Sequence, residues 1–199
     1  VVFIVISFLS FSSYLLISDT LEEKTQAYVE DNSLLLAKGI SHWLSAKTVQ
    51  IRLLKNNIEE NYSVDTFQNN LEFSSLKNDF LLMFGTLANE TGLRSNNPDR
   101  KNPDGVDFRE RPWYKLGESN QEVVYTAPYV DAATKELLLS VVAPIRSNGE
   151  LKGVLGGDLS LDSIAKSVNT INFNNTELAF IADSEGNITD SNKHLTLPT

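Results

Sequence analysis

Apolar and polar positions alternate with distinct periods in successive stretches of the chain. Residues 1–17, VVFIVISFLSFSSYLLI, carry no charge, Asp19 being the first. As a helix this run spans roughly 26 Å at 1.5 Å per residue, close to the ~30 Å hydrocarbon core of a bilayer. A signal peptide calls for a basic leader and a small-residue cleavage site, and neither is present. A helix laid on the core of a domain this small needs a polar face, which Phe3, Phe8 and Phe11 with their apolar neighbours leave no room for. Residues 1–18 are therefore read as a truncated transmembrane helix. From Asp19 to about Tyr62, Leu36, Ile40, Trp43, Leu44, Ile51, Leu54 and Ile58 recur at helical spacings with no proline among them. A helix of about 40 residues far exceeds the usual ~11–12 and needs cover along its stripe, from a domain or a partner helix.

Residues 65–73 predict a short helix and 80–87 a strand. SNNPDRKNPDGVDF (95–108) is turn chemistry throughout and predicts a surface loop. A β-meander follows, with strands over 123–130, 137–146 and 151–159 and an Asn148-Gly149 hairpin signal between the last two. The middle strand is almost continuously apolar, so both of its faces should be covered. Leu161, Ile164, Val168 and Ile171 predict a short amphipathic helix, and 177–190 a hairpin. That hairpin either completes the preceding sheet or opens a second module; the helix ahead of it favours the second. The fold class is α+β, a long N-terminal helix packed on an antiparallel sheet.

Composition narrows the chemistry. Of 199 residues, 17 are basic and 26 acidic, a net charge of −9, which argues against nucleic acid as a partner. The absence of cysteine excludes thiolate sites, and two histidines (His42 and His194) speak against multi-histidine metal catalysis. Asp183-Ser-Glu-Gly-Asn has glycine fourth rather than sixth, so it reads as a turn and not a calcium loop. No hydrolase, zinc-protease or P-loop motif occurs. Neither catalysis nor a cofactor nor a metal is expected.

Three clusters remain. Arg111-Pro112-Trp113-Tyr114 offers a planar fork for a carboxylate beside an indole wall. Pro112 holds Arg111 extended, which sends Arg111 and Trp113 to one side of the chain. The alternative is a surface arginine beside a packed aromatic. Tyr129-Val130-Asp131 ends a strand, and positions two apart share a face. Asp158 closes G-V-L-G-G-D, where glycines permit close approach of another group; it could equally cap a helix over 160–169. One cation, two acids and aromatic walls complement a zwitterion, Trp113 or Tyr114 adding a cation–π contact.

F-R-E-R-P-W-Y-K, T-A-P-Y-V-D-A-A-T-K-E-L, V-A-P-I and G-V-L-G-G-D-L-S-L-D, in this order, resemble the double Cache (dCache) sensor domain of bacterial methyl-accepting chemotaxis receptors. The resemblance implies a PAS-like membrane-distal module over 63–171, a truncated membrane-proximal module opening at 172–199, and a long periplasmic helix over 19–62 that forms a homodimer. It implies anchoring in the inner membrane with the sensor in the periplasm or outside the cell, and signalling across the membrane in chemotaxis. The same fold can feed a histidine kinase or a diguanylate cyclase, or serve as a structural domain without a ligand. In amino-acid-binding members, the residues matching Arg111 and Trp113 hold the ligand carboxylate, and those matching Tyr129, Asp131 and Asp158 hold its amino group. The family tyrosine five positions before the arginine is Val106 here. That removes a hydrogen bond worth roughly 0.5–1.5 kcal/mol and makes an amine a competitor to an α-amino acid.

Overall fold

The computed structural model describes residues 2–73, 76, 78–131 and 136–160. Helix α1 (Val2–Glu60) runs without interruption through both stretches read from the sequence as helical. Among the described residues no helix is long and apolar enough to cross a membrane. The chain divides into two compact units, Val1–His42 and Trp43–Thr199. In the first, large apolar side chains such as Phe3, Tyr14, Leu34 and Leu35 are exposed.

In the second unit the last turns of α1 bury Ile51, Leu54 and Ile58, at the three- and four-residue spacing of one helical face. Helix α2 (Val64–Leu71) starts at Ser63, whose extended backbone and hydroxyl, accepting from Thr66 N at 2.9 Å, make an N-cap. Its buried Phe67 lies against Gly85, where a β-carbon would sit 2.5 Å from the ring.

The sheet comprises β1 (Leu82–Leu87), β2 (Arg94–Ser95), β3 (Val124–Tyr125), β4 (Tyr129–Val130), β5 (Leu137–Ser147) and β6 (Glu150–Ser160), all pairs antiparallel. The order is β2-β1-β6-β5-β3, with β4 also on β5. The β5–β6 hairpin turns at Asn148 (φ 52) and Gly149 (φ 80), the left-handed pair that a two-residue hairpin demands. Strand β5 is buried from Leu138 to Ile145, as its apolar run requires. Between β2 and β3 lie a 3-10 turn (Phe108–Glu110) and helix α3 (Pro112–Ser119).

The stretch 123–130 is two short ladders, not one strand. Val124 and Tyr125 face Val142 and Val141, whereas Tyr129 and Val130 face Leu138 and Leu137. From Tyr125 to Tyr129 the chain advances four residues while β5 advances three. Proline at 128 cannot donate to the ladder, and the extra residue is absorbed there as a bulge. Because side chains alternate faces, this one-residue slip turns the two tyrosines to opposite sides of the sheet. Tyr125 faces α1, donating to Leu44 O at 2.6 Å and lying 3.0 Å from Thr48 Oγ1. Tyr129 faces the side covered by α3. The helix expected at 160–171 and the hairpin at 177–190 lie outside the described residues.

Candidate functional site

Pairing partners share a face, so one side of the sheet can be read from the register. Leu82, Phe84, Ser140, Val142, Val154, Gly156 and Asp158 lie together, with Val124 and Tyr129 at the edge. Over this face pack Leu93, Phe108, Trp113 and Tyr114, joined by the half-buried Val106 and Leu116. Trp113 stands edge-on to Phe84, ring centres 4.9 Å apart, and to Tyr114 at 5.6 Å.

At one end of this apolar cluster sits a polar knot. Asp158 Oδ1 accepts from Ser140 Oγ at 2.6 Å and from Tyr129 OH at 2.9 Å, and the two hydroxyl oxygens are 2.8 Å apart. Ser140 is fully buried and Asp158 is 7% exposed. Across β6, Asp158 has Leu82 on one side and Ser140 on the other. Burial pushes its carboxyl above the usual carboxylate range; Ser140 and then Tyr129 pull it back, Asp131 raises it further, and Arg100 lowers it. Tyr129 is pushed well above an ordinary phenol, first by burial and then by the charge of Asp158. Oδ2 of Asp158 accepts no hydrogen bond among the described residues. A buried carboxylate with one oxygen committed and one open is chemically an acceptor for an ammonium or another cationic donor.

The remaining sequence candidates fall in different places. Arg111 has the extended backbone (φ −74, ψ 145) that Pro112 enforces, and it forms the N-cap of α3 without a side-chain cap. Its guanidinium is exposed and has no hydrogen bond or ion pair among the described residues. From Pro112 onward the chain is helical. Alternation therefore does not relate Arg111 to Trp113: Arg111 is exposed, while Trp113 is 9% exposed against Phe84 and Tyr114. Tyr114 is a buried core ring whose hydroxyl is raised by burial first and then by Glu118. Asp131 lies just past β4, where its N–H donates to Glu136 O at 2.9 Å. Its charge acts on Tyr129 and Asp158, but the Tyr129 hydroxyl goes to Ser140 and Asp158.

The glycines before Asp158 admit protein and not a guest. A β-carbon at Gly157 would lie 2.5 Å from Phe80, one at Gly156 2.9 Å from Phe84, and one at Gly153 2.6 Å from Thr86 O. The sequence reading missed Ser140. Its signal was a lone hydroxyl inside LLLSVVAPI, since a buried polar group in an apolar strand needs a partner.

A family model described as Cache domain matches residues 17–196. The chain is 31% identical over 189 residues to methyl-accepting chemotaxis protein McpA of Pseudomonas putida, covering 93% of this chain and 29% of McpA. It thus spans under a third of the length of that curated relative. Among solved structures, it resembles the ligand-binding domain of the Pseudomonas fluorescens chemoreceptor CtaA in complex with L-serine. The TM-score is 0.75 at 30% identity, over 86% of this chain and 74% of that one. The ligand-binding domain of the Pseudomonas aeruginosa amino acid chemoreceptor PctB in complex with L-Arg matches with TM-score 0.75 at 30% identity, over 86% and 73%. Matched by the family model from residue 17 to residue 196, the chain belongs to the Cache domain family.

Proposed function

We propose that this chain is the extracytoplasmic ligand-sensing part of a bacterial chemoreceptor and binds a small zwitterionic or cationic metabolite, an amino acid or an amine. The observation that carries the reading is the buried Asp158, held through Oδ1 and accepting no hydrogen bond at Oδ2 among the described residues. The ligand ammonium pairs with Asp158, supported by Tyr129 and by the negative charge of Asp131. Arg111, with no competing partner among the described residues, takes the carboxylate, and Trp113 with the aromatic cluster beneath supplies the apolar wall. The L-serine and L-Arg complexes of the similar CtaA and PctB domains support an amino acid. Val106, where the family has a tyrosine, favours an amine as the second reading.

The uncharged run 1–18, with Phe3, Phe11 and Tyr14 exposed on a helix, supports attachment to the inner membrane, the sensor lying in the periplasm or outside the cell. Exposed Tyr28, Val29, Leu34, Leu35 and Leu53 on α1 support a homodimer through that helix. Residues 63–171 form the membrane-distal module in this reading, and 172–199 open the proximal one. Ligand binding, not catalysis, is the activity.

Isothermal calorimetry and thermal-shift measurements of the purified chain against L-serine, L-alanine, L-arginine and putrescine test the reading. Saturable binding that Asp158→Asn abolishes is the expected result. Binding unaffected by that substitution removes Asp158 from the site, and no binding by any of the four removes the proposal.

A further inference from the structure

Ser140 sits where three constraints meet. Its backbone is held from both sides by Thr126, whose N–H donates to Ser140 O at 2.9 Å and whose Oγ1 accepts from Ser140 N at 2.9 Å. No solvent reaches its side chain. Its hydroxyl donates to Asp158 Oδ1 at 2.6 Å, directly across the β5–β6 ladder. With backbone and surroundings fixed, the hydroxyl can satisfy itself only within the knot of Tyr129 and Asp158. When Asp158 is ionised, both hydroxyl protons of the knot are directed at Oδ1, and the carboxylate is pinned by one edge.

We propose that Ser140 is a positioning residue of the ligand site: together with Tyr129 it commits Oδ1 of Asp158 and so presents Oδ2 as the acceptor for a ligand ammonium. The proposal rests on the reading of Asp158 as the ammonium partner given above. A carboxylate pinned at one oxygen loses little freedom on meeting a ligand, whereas an unpinned one rotates and must be ordered at the moment of binding. Ser140 also stabilises the charged form. The groups that act on Asp158 are Tyr129 and Asp131 from the β4 segment, Arg100 from the loop before the 3-10 turn, and Ser140 from β5; β1 contributes the apolar Leu82. Of these, Ser140 gives the largest pull toward ionisation and opposes the burial that favours the proton. Removing it leaves Asp158 protonated to higher pH, where it no longer attracts an ammonium.

Two measurements on the 199-residue chain test this. In the ligand-free protein, Asp158 is titrated by carbon-detected NMR of its carboxyl in wild type, Ser140→Ala and Ser140→Thr. Calorimetry with L-serine and with L-arginine then follows affinity from acidic to neutral pH, and unliganded melting temperatures report the fold of each variant. Ser140→Ala is expected to move the Asp158 titration to higher pH. It should weaken binding roughly tenfold at neutral pH and shift the acid limb of the affinity profile upward, while Ser140→Thr restores both. A scaffold role alone lowers the melting temperature without moving the limb. An unmoved Asp158 titration, or affinity within about twofold of wild type at every pH, overturns the proposal while leaving ligand sensing intact. Failure of wild type to bind either probe overturns the sensing reading instead, and the positioning role with it.

Discussion

Arg111 is where binding and stability part most cleanly. Its guanidinium is exposed and without a hydrogen bond or ion pair among the described residues. Truncation to alanine removes no buried contact, and its backbone role at the start of α3 is fixed by Pro112 and survives the change. Exposed substitutions of this kind stay within about 0.5 kcal/mol of wild type. For a domain of this size that is at most about 2 °C in melting temperature. A ligand carboxylate held by the fork stands differently. Loss of a charge-assisted, hydrogen-bonded partner costs about 2–5 kcal/mol of binding, roughly 30- to 4,000-fold in Kd. Arg111→Lys keeps the charge and loses the bidentate geometry, so it falls between wild type and Arg111→Ala.

Calorimetry against L-serine, paired with thermal melts of the unliganded variants, reads both quantities. Either of two results refutes a carboxylate-binding role for Arg111: Arg111→Ala binding L-serine as tightly as wild type, or losing affinity only in proportion to a large drop in melting temperature. Putrescine is the control ligand. It has no carboxylate, so its affinity should not fall when Arg111 is replaced.

Other perturbations follow from the same contacts. Gly157→Ala forces a β-carbon to 2.5 Å from the buried Phe80 ring and should destabilise by about 1–3 kcal/mol in urea denaturation; an unchanged midpoint refutes the packing. Lys47 is buried, bonds Asp79 at 2.6 Å and lies over the Trp43 and Phe80 rings. Asp79→Ala, which leaves that ammonium unpaired, should therefore cost about 2–4 kcal/mol in urea denaturation, and adding Lys47→Met should recover most of it. The Asp158 carboxyl is raised in the folded protein, so its contribution to stability is complete below the ordinary carboxylate range and is lost as pH rises through the raised value. Unliganded Asp158→Asn should accordingly melt above wild type at neutral pH, and the gap should close on acidification; a gap independent of pH contradicts the burial argument.

Much of the fold was legible because its signals are local and long. The stripe of Ile51, Leu54 and Ile58, the apolar run of β5 and the Asn148-Gly149 turn each specify an element without help from distant residues. What escaped depended on neighbours in space. Three glycines before Asp158 read as places where another group comes close, but which group could not be read: it is Phe80, Phe84 and the β1 backbone, brought there by the β1–β6 pairing. The R-P-W-Y segment read as extended because Pro112 does extend Arg111. The same proline is also a favourable first residue of a helix, and tertiary packing of Trp113 and Tyr114 decides for the helix.

The polar knot depends on a feature with almost no sequence signature, one surplus residue between Tyr125 and Tyr129. In an unbroken strand these tyrosines, four apart, share a face, and both hydroxyls turn toward α1. The bulge before Tyr129 separates their tasks. Tyr125 anchors the last turns of α1 through Leu44 and Thr48, while Tyr129 crosses to the other face and completes the donor pair on Asp158. Thr126, still in the register of Tyr125 and Val141 ahead of the slip, stands against Ser140 and holds its backbone. Deleting Ala127 takes out the surplus residue and leaves the two tyrosines three apart, an odd spacing that still puts them on opposite faces of a continuous strand, with Tyr129 opposite Leu138. Asp158 therefore keeps both hydroxyl donors, and affinity measured by calorimetry should stay nearer wild type than in Tyr129→Phe, which loses one donor but leaves the ring in place.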